Sequence, residues 1–195
     1  SAGTLPEKEV TAVAVGPDGF LYAAGAPGGK VYRIDRSGKA ALHYETKAQY
    51  VWSLAFSGGV LYVATGLPGE IHKVTAPAQG VRVHTAPDPH VRSLLADGKG
   101  RIWAGTAGSG LLLRIDPNGN VATIYDSSKS EITSIAGGTD GRVWVAASSA
   151  DTPALGGEPI SAPITAPGAR AARAGPSRVD DDGKDKPEVT VSVSA

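Results

Sequence analysis

An all-β fold built from repeated four-stranded antiparallel sheets is what the sequence predicts, and three observations predict it. The first is a period: EVTAVAV, YVWSLAF, HVRSLLA and EITSIAG begin at Glu9, Tyr50, His90 and Glu131, at spacings of 41, 40 and 41 residues. The second is that three further registers keep the same step. GFLYAAG, GVLYVATG, GRIWAGT and GRVWVAA carry Tyr22, Tyr62, Trp103 and Trp144; KVYRID, EIHKVT and LLLRID carry Arg33, Lys73 and Arg114; LHYET, RVHTA and TIYDS carry Tyr44, His84 and Tyr125. The third is composition: each register is about 5–7 residues long and rich in Val, Ile, Leu and aromatics, which suits strands. No helical spacing of apolar residues survives for about a dozen residues anywhere.

Within a repeat the strands are named a, b, c and d. Short turn signals such as Pro17-Asp18-Gly19, Gly58-Gly59, Pro117-Asn118-Gly119 and Thr139-Asp140-Gly141 separate them and make neighbours antiparallel hairpins. Strand a carries small residues (Ala12, Ser53, Ser93, Ser134), as crowding around a shared axis requires. Strand b carries the large aromatics, which plug the space between twisted sheets and are read as core. Strand c carries the basic row with Asp35 and Asp116 two residues on, which predicts salt bridges between repeats. A lone four-stranded sheet cannot bury both faces, so like sheets must stack side by side, and four short strands per ~40 residues describe one blade of a β-propeller.

The repeats run over 9–49, 50–89 and 90–130, while the fourth keeps only strands a and b, over 131–149. Residues 150–187 are dense in Ala, Pro, Gly and Ser and close on an acidic and lysine-bearing run, so a disordered insertion is predicted there. Residues 188–195 alternate with a two-residue period and fit the third strand of the fourth blade. The expected architecture is therefore about three and a half blades. Propellers close with about four to eight, so the remainder of the ring must come from a longer chain or from a second copy.

Composition excludes several classes of function. Among 195 residues, 19 basic side chains balance 19 acidic ones, which gives no electrostatic footprint for nucleic acid. No apolar run approaches the ~20 residues of a membrane helix. Cysteine is absent, which removes disulfides, thiol catalysis and zinc–thiolate sites. There is no G-x-S-x-G elbow and no phosphate-binding loop. The lack of Cys and Met fits an extracytoplasmic bacterial protein, and a cytoplasmic one nearly as well.

The stretch GRIWAGTAGSGLLLRID, residues 100–116, resembles the G-x-[LI]-[WY]-x-G-T-x-G-x-[LI]-x-[RK]-[LIF]-D pattern of bacterial propellers. These are the two-component-regulator propellers, the NHL-type repeats and the streptogramin-lyase and gluconolactonase-like superfamily. The G-H and W-D signatures of WD repeats are missing. The resemblance covers roughly residues 9–149 and implies a fold rather than an activity.

Candidate ligand-binding residues are those that enter strand a of each blade: Glu9, Tyr50, His90 and Glu131. Repeat geometry carries them to one mouth of the channel. Glu9, His90 and Glu131 could hold a divalent cation such as Ca²⁺, and the lactonase and lyase relatives imply a metal at that end. The regular blade grammar with chemically plain loops favours instead a non-catalytic module that needs no cofactor. Such a module would meet a protein partner through its loop face or through the 150–187 insertion. The four histidines fall in three different strand registers, and His43, His72 and His84 are read as structural or exposed.

Overall fold

The computed structural model describes residues 5–149 together with the backbone of 163–164 and 189–193. The insertion expected over 150–187 lies, apart from 163–164, outside the described residues. Blade 1 contains β1 (Glu9–Val15), β2 (Leu21–Ala26), β3 (Lys30–Ile34) and β4 (Ala40–Glu45), paired in that order. Blade 2 contains β5 (Tyr50–Ser57), β6 (Val60–Gly66), β7 (Glu70–Ala76) and β8 (Gln79–Thr85). Blade 3 contains β9 (His90–Ala96), β10 (Ile102–Ala107), β11 (Leu111–Ile115) and β12 (Val121–Asp126). Then come β13 (Glu131–Gly137) and β14 (Val143–Ser148), with β16 (Val189–Val193) antiparallel to β14 and the short β15 (Pro163–Ile164) parallel to β16. All pairings within blades 1 to 3 are antiparallel hairpins. The chain is all-β, a partial propeller.

The turns form for local reasons. At the β3–β4 turn the Asp35 carboxylate accepts the N–H groups of Ser37 and Lys39 at 2.8 and 3.0 Å, which reinforces the backbone bond from Asp35 N–H to the Lys39 carbonyl at 3.0 Å. Asp97 does the same for Lys99 and Arg101 between β9 and β10.

Three joints hold the blades together, and each follows one rule. The strand-b aromatic of one blade lies on strands a and b of the next. At joint 1, Tyr22, Ala24 and Val31 meet Val51, Leu54, Leu61 and Val63. At joint 2, Tyr62, Ala64 and Ile71 meet Val91, Ile102 and Leu113. At joint 3, Trp103, Leu112 and Tyr125 meet Ile132, Val143 and Val145. Hiding each such aliphatic side chain contributes roughly 1.5–3 kcal/mol. The small strand-a residues serve a second purpose at the axis. Thr11 Oγ1 donates to the Val51 carbonyl, Leu94 N–H donates to Ser53 Oγ at 3.1 Å, and Ser93 Oγ donates to the Ile132 carbonyl at 3.3 Å.

The outer face of blade 1 has no preceding sheet upon it. Val10 and Val13 are 55% and 60% exposed, whereas the equivalents of Val10 in the other blades, Val51, Val91 and Ile132, are fully buried. The expected salt bridges between blades are not what the basic row makes. Arg33 pairs with Asp18 at 2.9 Å and Arg114 with Asp116 at 2.9 Å, each within its own blade. The reason is reach: a strand-c side chain lies beside the turn of its own sheet, and the joint is filled by the strand-b aromatic.

Candidate functional site

The axial site begins with a backbone irregularity. In every blade the pairing of strand a with strand b slips by one residue at its third position, so that Thr11, Trp52, Arg92 and Thr133 have no cross-strand partner. A bulge adds a residue to one strand and re-aims its side chain. Blade 1 spends the position on the Thr11 clip, and Thr133 Oγ1 donates to the Ala146 carbonyl at 3.2 Å. Blades 2 and 3 put Trp52 and Arg92 there.

These two residues gather three of the four residues expected at the mouth. Tyr50 stacks on Trp52 with ring centroids 4.8 Å apart and planes 13° from parallel. Trp52 Nε1 donates to His90 Nδ1 at 3.1 Å. The Arg92 guanidinium lies 4.1 Å from the Trp52 ring centroid, and its Nε donates to Glu131 Oε1 at 2.9 Å. The result is a ladder, Tyr50–Trp52–Arg92–Glu131, that crosses blades 2, 3 and 4 with His90 at its side. Glu9, the fourth expected residue, is exposed at the start of β1, opposite Ala26, and is not in the ladder.

The ladder depends on one glycine. Gly66 ends β6, opposite Tyr50 on one side and His90 on the other. A Cβ at Gly66 would stand 2.2 Å from both Trp52 Nε1 and His90 Nδ1. The same place in the other blades holds Ala26, Ala107 and Ser148. Blade 2 alone among the described blades clears this space.

Electrostatics leave the ladder neutral. Burial lowers the pKa of His90, the Arg92 charge lowers it further, and Glu131 opposes both. Because Nδ1 accepts from Trp52, the neutral ring carries its proton on Nε2. Among the described residues the Tyr50 hydroxyl, His90 Nε2 and the terminal nitrogens of Arg92 make no hydrogen bond, so they are available to a ligand. One Glu131 oxygen is held by Arg92 and His90 Nδ1 is held by Trp52. Among the described residues no three His, Cys, Asp or Glu side chains come together as a metal-holding group.

A second polar cluster lies in joint 1. Tyr44 Oη meets His72 Nδ1 at 3.1 Å, His72 Nε2 meets Glu70 Oε2 at 3.0 Å, and Arg82 Nη1 donates to Glu70 Oε1 at 2.8 Å. His72 and Glu70 are both buried. Tyr44, His72, Glu70 and Arg82 each find a partner within this cluster, which makes it a clasp between blades 1 and 2.

Comparison with known proteins agrees with this geometry. Residues 85–108 match the model of the family described as "Two component regulator propeller". No curated protein sequence matches the chain. Among solved structures, a streptogramin B lyase superposes with TM-score 0.64 at 19% identity, over 73% of this chain and 49% of that one. The selenomethionine-substituted virginiamycin B lyase from Staphylococcus aureus gives 0.64 at 18% identity, over 74% and 51%. The computationally designed Ika4 protein gives 0.60 at 16% identity, over 75% of this chain and 89% of that one. The chain thus spans about half the length of the lyases it matches. Strand topology, joint packing and these likenesses agree that the chain has the β-propeller fold, with residues 85–108 similar to the two-component-regulator propeller repeat.

Proposed function

We propose that this chain is a non-catalytic recognition module within a larger propeller, with the axial ladder at the centre of its binding face. The observation that carries the reading is the clearance at Gly66, which accommodates Trp52 and His90 where the repeat otherwise places a side chain. Tyr, Trp and Arg are the residue types that dominate binding energy at interfaces, and here they sit together on one mouth. A protein segment with a hydrogen-bond acceptor fits the free donors of Tyr50, His90 and Arg92. The lyases among the structural neighbours share the fold at under 20% identity, which supports no transfer of their activity.

The ring is completed by further blades, from a longer chain or from a second copy, because the outer face of blade 1 is the same apolar surface that every joint buries. Native mass spectrometry of the full gene product distinguishes those sources.

The test of recognition is peptide selection by phage display against the immobilised chain. Selected peptides are expected to lose at least about tenfold in affinity, near 1.4 kcal/mol, on Trp52→Ala or Arg92→Ala, with circular dichroism unchanged. Peptides that bind both variants as tightly as the native chain would overturn the reading.

A further inference from the structure

The three joints are not equally filled. At the turn end of joint 1, Phe56 packs edge-on against Tyr22 with ring centroids 5.0 Å apart. The equivalent residue closing strand a is Ala96 in blade 3 and Gly137 in blade 4. Joint 3 therefore lacks the side chain that would close it. A Cβ at Gly137 would meet nothing nearer than the Leu95 methyl groups, at 3.5 and 3.8 Å, and one at Gly98 would meet nothing within 4 Å. The outcome is a cleft of about 500 Å³ between the a–b turns of blades 3 and 4, on the opposite end of the blades from the axial ladder. That size lies within the range of small-molecule sites, roughly 300–1,000 Å³.

Its chemistry is two-sided. Leu95, Ala96 and the buried Val143 form an apolar floor, and Lys99, Arg101 and Arg142 stand at the rim. Two carboxylates answer those three cations. Asp97 is held by Arg101 Nε at 2.6 Å and by Trp103 Nε1 at 3.1 Å, and Asp140 by Arg142 Nε at 3.2 Å. Lys99 makes no ion pair among the described residues, which leaves the rim with one positive charge in excess. The cleft at joint 1 differs on both counts: it is smaller, about 330 Å³, and its Arg33–Asp18 pair is balanced.

We propose that the joint 3 cleft binds a small organic monoanion with an apolar body, an aryl or alkyl carboxylate, its body on Leu95 and Val143 and its charge at Lys99. A polyanion fits poorly, because Asp97 lines the same cleft, Asp140 already pairs with Arg142, and only one cation is unanswered. A neutral apolar compound leaves that cation unused. The Gly137 vacancy sets the depth to which the body enters.

Isothermal titration of naphthoate into the whole chain tests this. The expected result is saturable binding at one site per chain. Affinity is expected to fall at least about tenfold on Gly137→Leu, which fills the floor, and likewise on Lys99→Glu, which reverses the free charge at an exposed turn without touching the core. Naphthalenemethanol, the uncharged counterpart, is expected to bind at least about tenfold more weakly than naphthoate. Absence of saturable naphthoate binding to the native chain would overturn the proposal. So would unchanged affinity in folded Lys99→Glu, or equal affinity for the alcohol.

Discussion

Trp52 and Arg92 form the ladder at the axis, yet two-residue alternation along strand a does not single them out. Tyr50, His90 and Glu131 are legible because they begin a repeat. Trp52 and Arg92 occupy the bulge, where alternation fails and the side chain leaves the face that the pattern assigns to it. The signal that could have found them is a repeat column, Thr11, Trp52, Arg92 and Thr133, in which two blades hold a hydroxyl and two hold a large side chain. Gly66→Val is expected to break the Trp52–His90 hydrogen bond and redden tryptophan emission, since the added Cβ overlaps both rings' nitrogens; fluorescence and circular dichroism check it. Histidine also gives stability a pH dependence. Burial lowers the pKa of His43, His72, His84 and His90. Just below the ordinary histidine value of about 6.5 the unfolded chain then binds more protons than the folded one. Stability is therefore expected to be complete above that value and to fall as pH drops through the lowered values. Asp35 and Asp97 are lowered as well, Asp35 chiefly by the Ser37 hydroxyl, and Asp97 because bonds from Trp103 and Arg101 outweigh burial. Their loss belongs to more acidic solution, below the ordinary carboxylate range. His84 Nε2 is buried without a partner, so His84→Phe is expected to flatten the histidine limb in urea unfolding compared at pH values on either side of it.

At the scale of strands and blades the sequence is most informative, because a strand is one register and a blade is one period. Strand order, the antiparallel hairpins and the burial of Tyr22, Tyr62 and Trp103 follow from the four registers, whereas Trp144, read as core from the same register, is 36% exposed. Where the reading of strand c fails, it fails on distance. Arg33 has Asp18 of its own turn within reach at 2.9 Å, and Asp18 also accepts from the Tyr22 hydroxyl at 3.1 Å, so one carboxylate serves the arginine and the aromatic's polar end. Asp97 plays that part for Arg101 and Trp103 in blade 3. These acids let a strand-b aromatic bury its ring without stranding its donor. Asp97→Ala is accordingly expected to destabilise the chain by about 1–3 kcal/mol through the orphaned Trp103 N–H, whereas Asp140→Ala, whose pair with Arg142 is half exposed, is expected to cost under about 1 kcal/mol. Parallel urea titrations measure both.

For the molecule as a whole, the repeat dictates that a blade has two sticky faces and that a chain of blades has two sticky ends. Val10, Val13, Val15 and Leu21 form the free end on blade 1, a contiguous apolar surface of the kind that mediates association. The isolated chain is expected to self-associate through it, and Val13→Glu to reduce that association without lowering the unfolding midpoint; light scattering beside a thermal melt reports both. The number of blades in the complete ring is not a property of the period, because each joint sees only its neighbour. Joint strength and axial recognition are also separate properties of this fold. The joints carry stability, while the ladder, with Arg92 and Glu131 side chains 35% and 28% exposed, is available for recognition. The most direct measurement is therefore urea unfolding of Trp103→Ala beside Arg92→Ala. Trp103 is fully buried in joint 3, and its removal should cost about 3–5 kcal/mol. Removal of Arg92 should cost under about 1 kcal/mol. Equal losses in the two variants would make the ladder a structural strut and contradict the account.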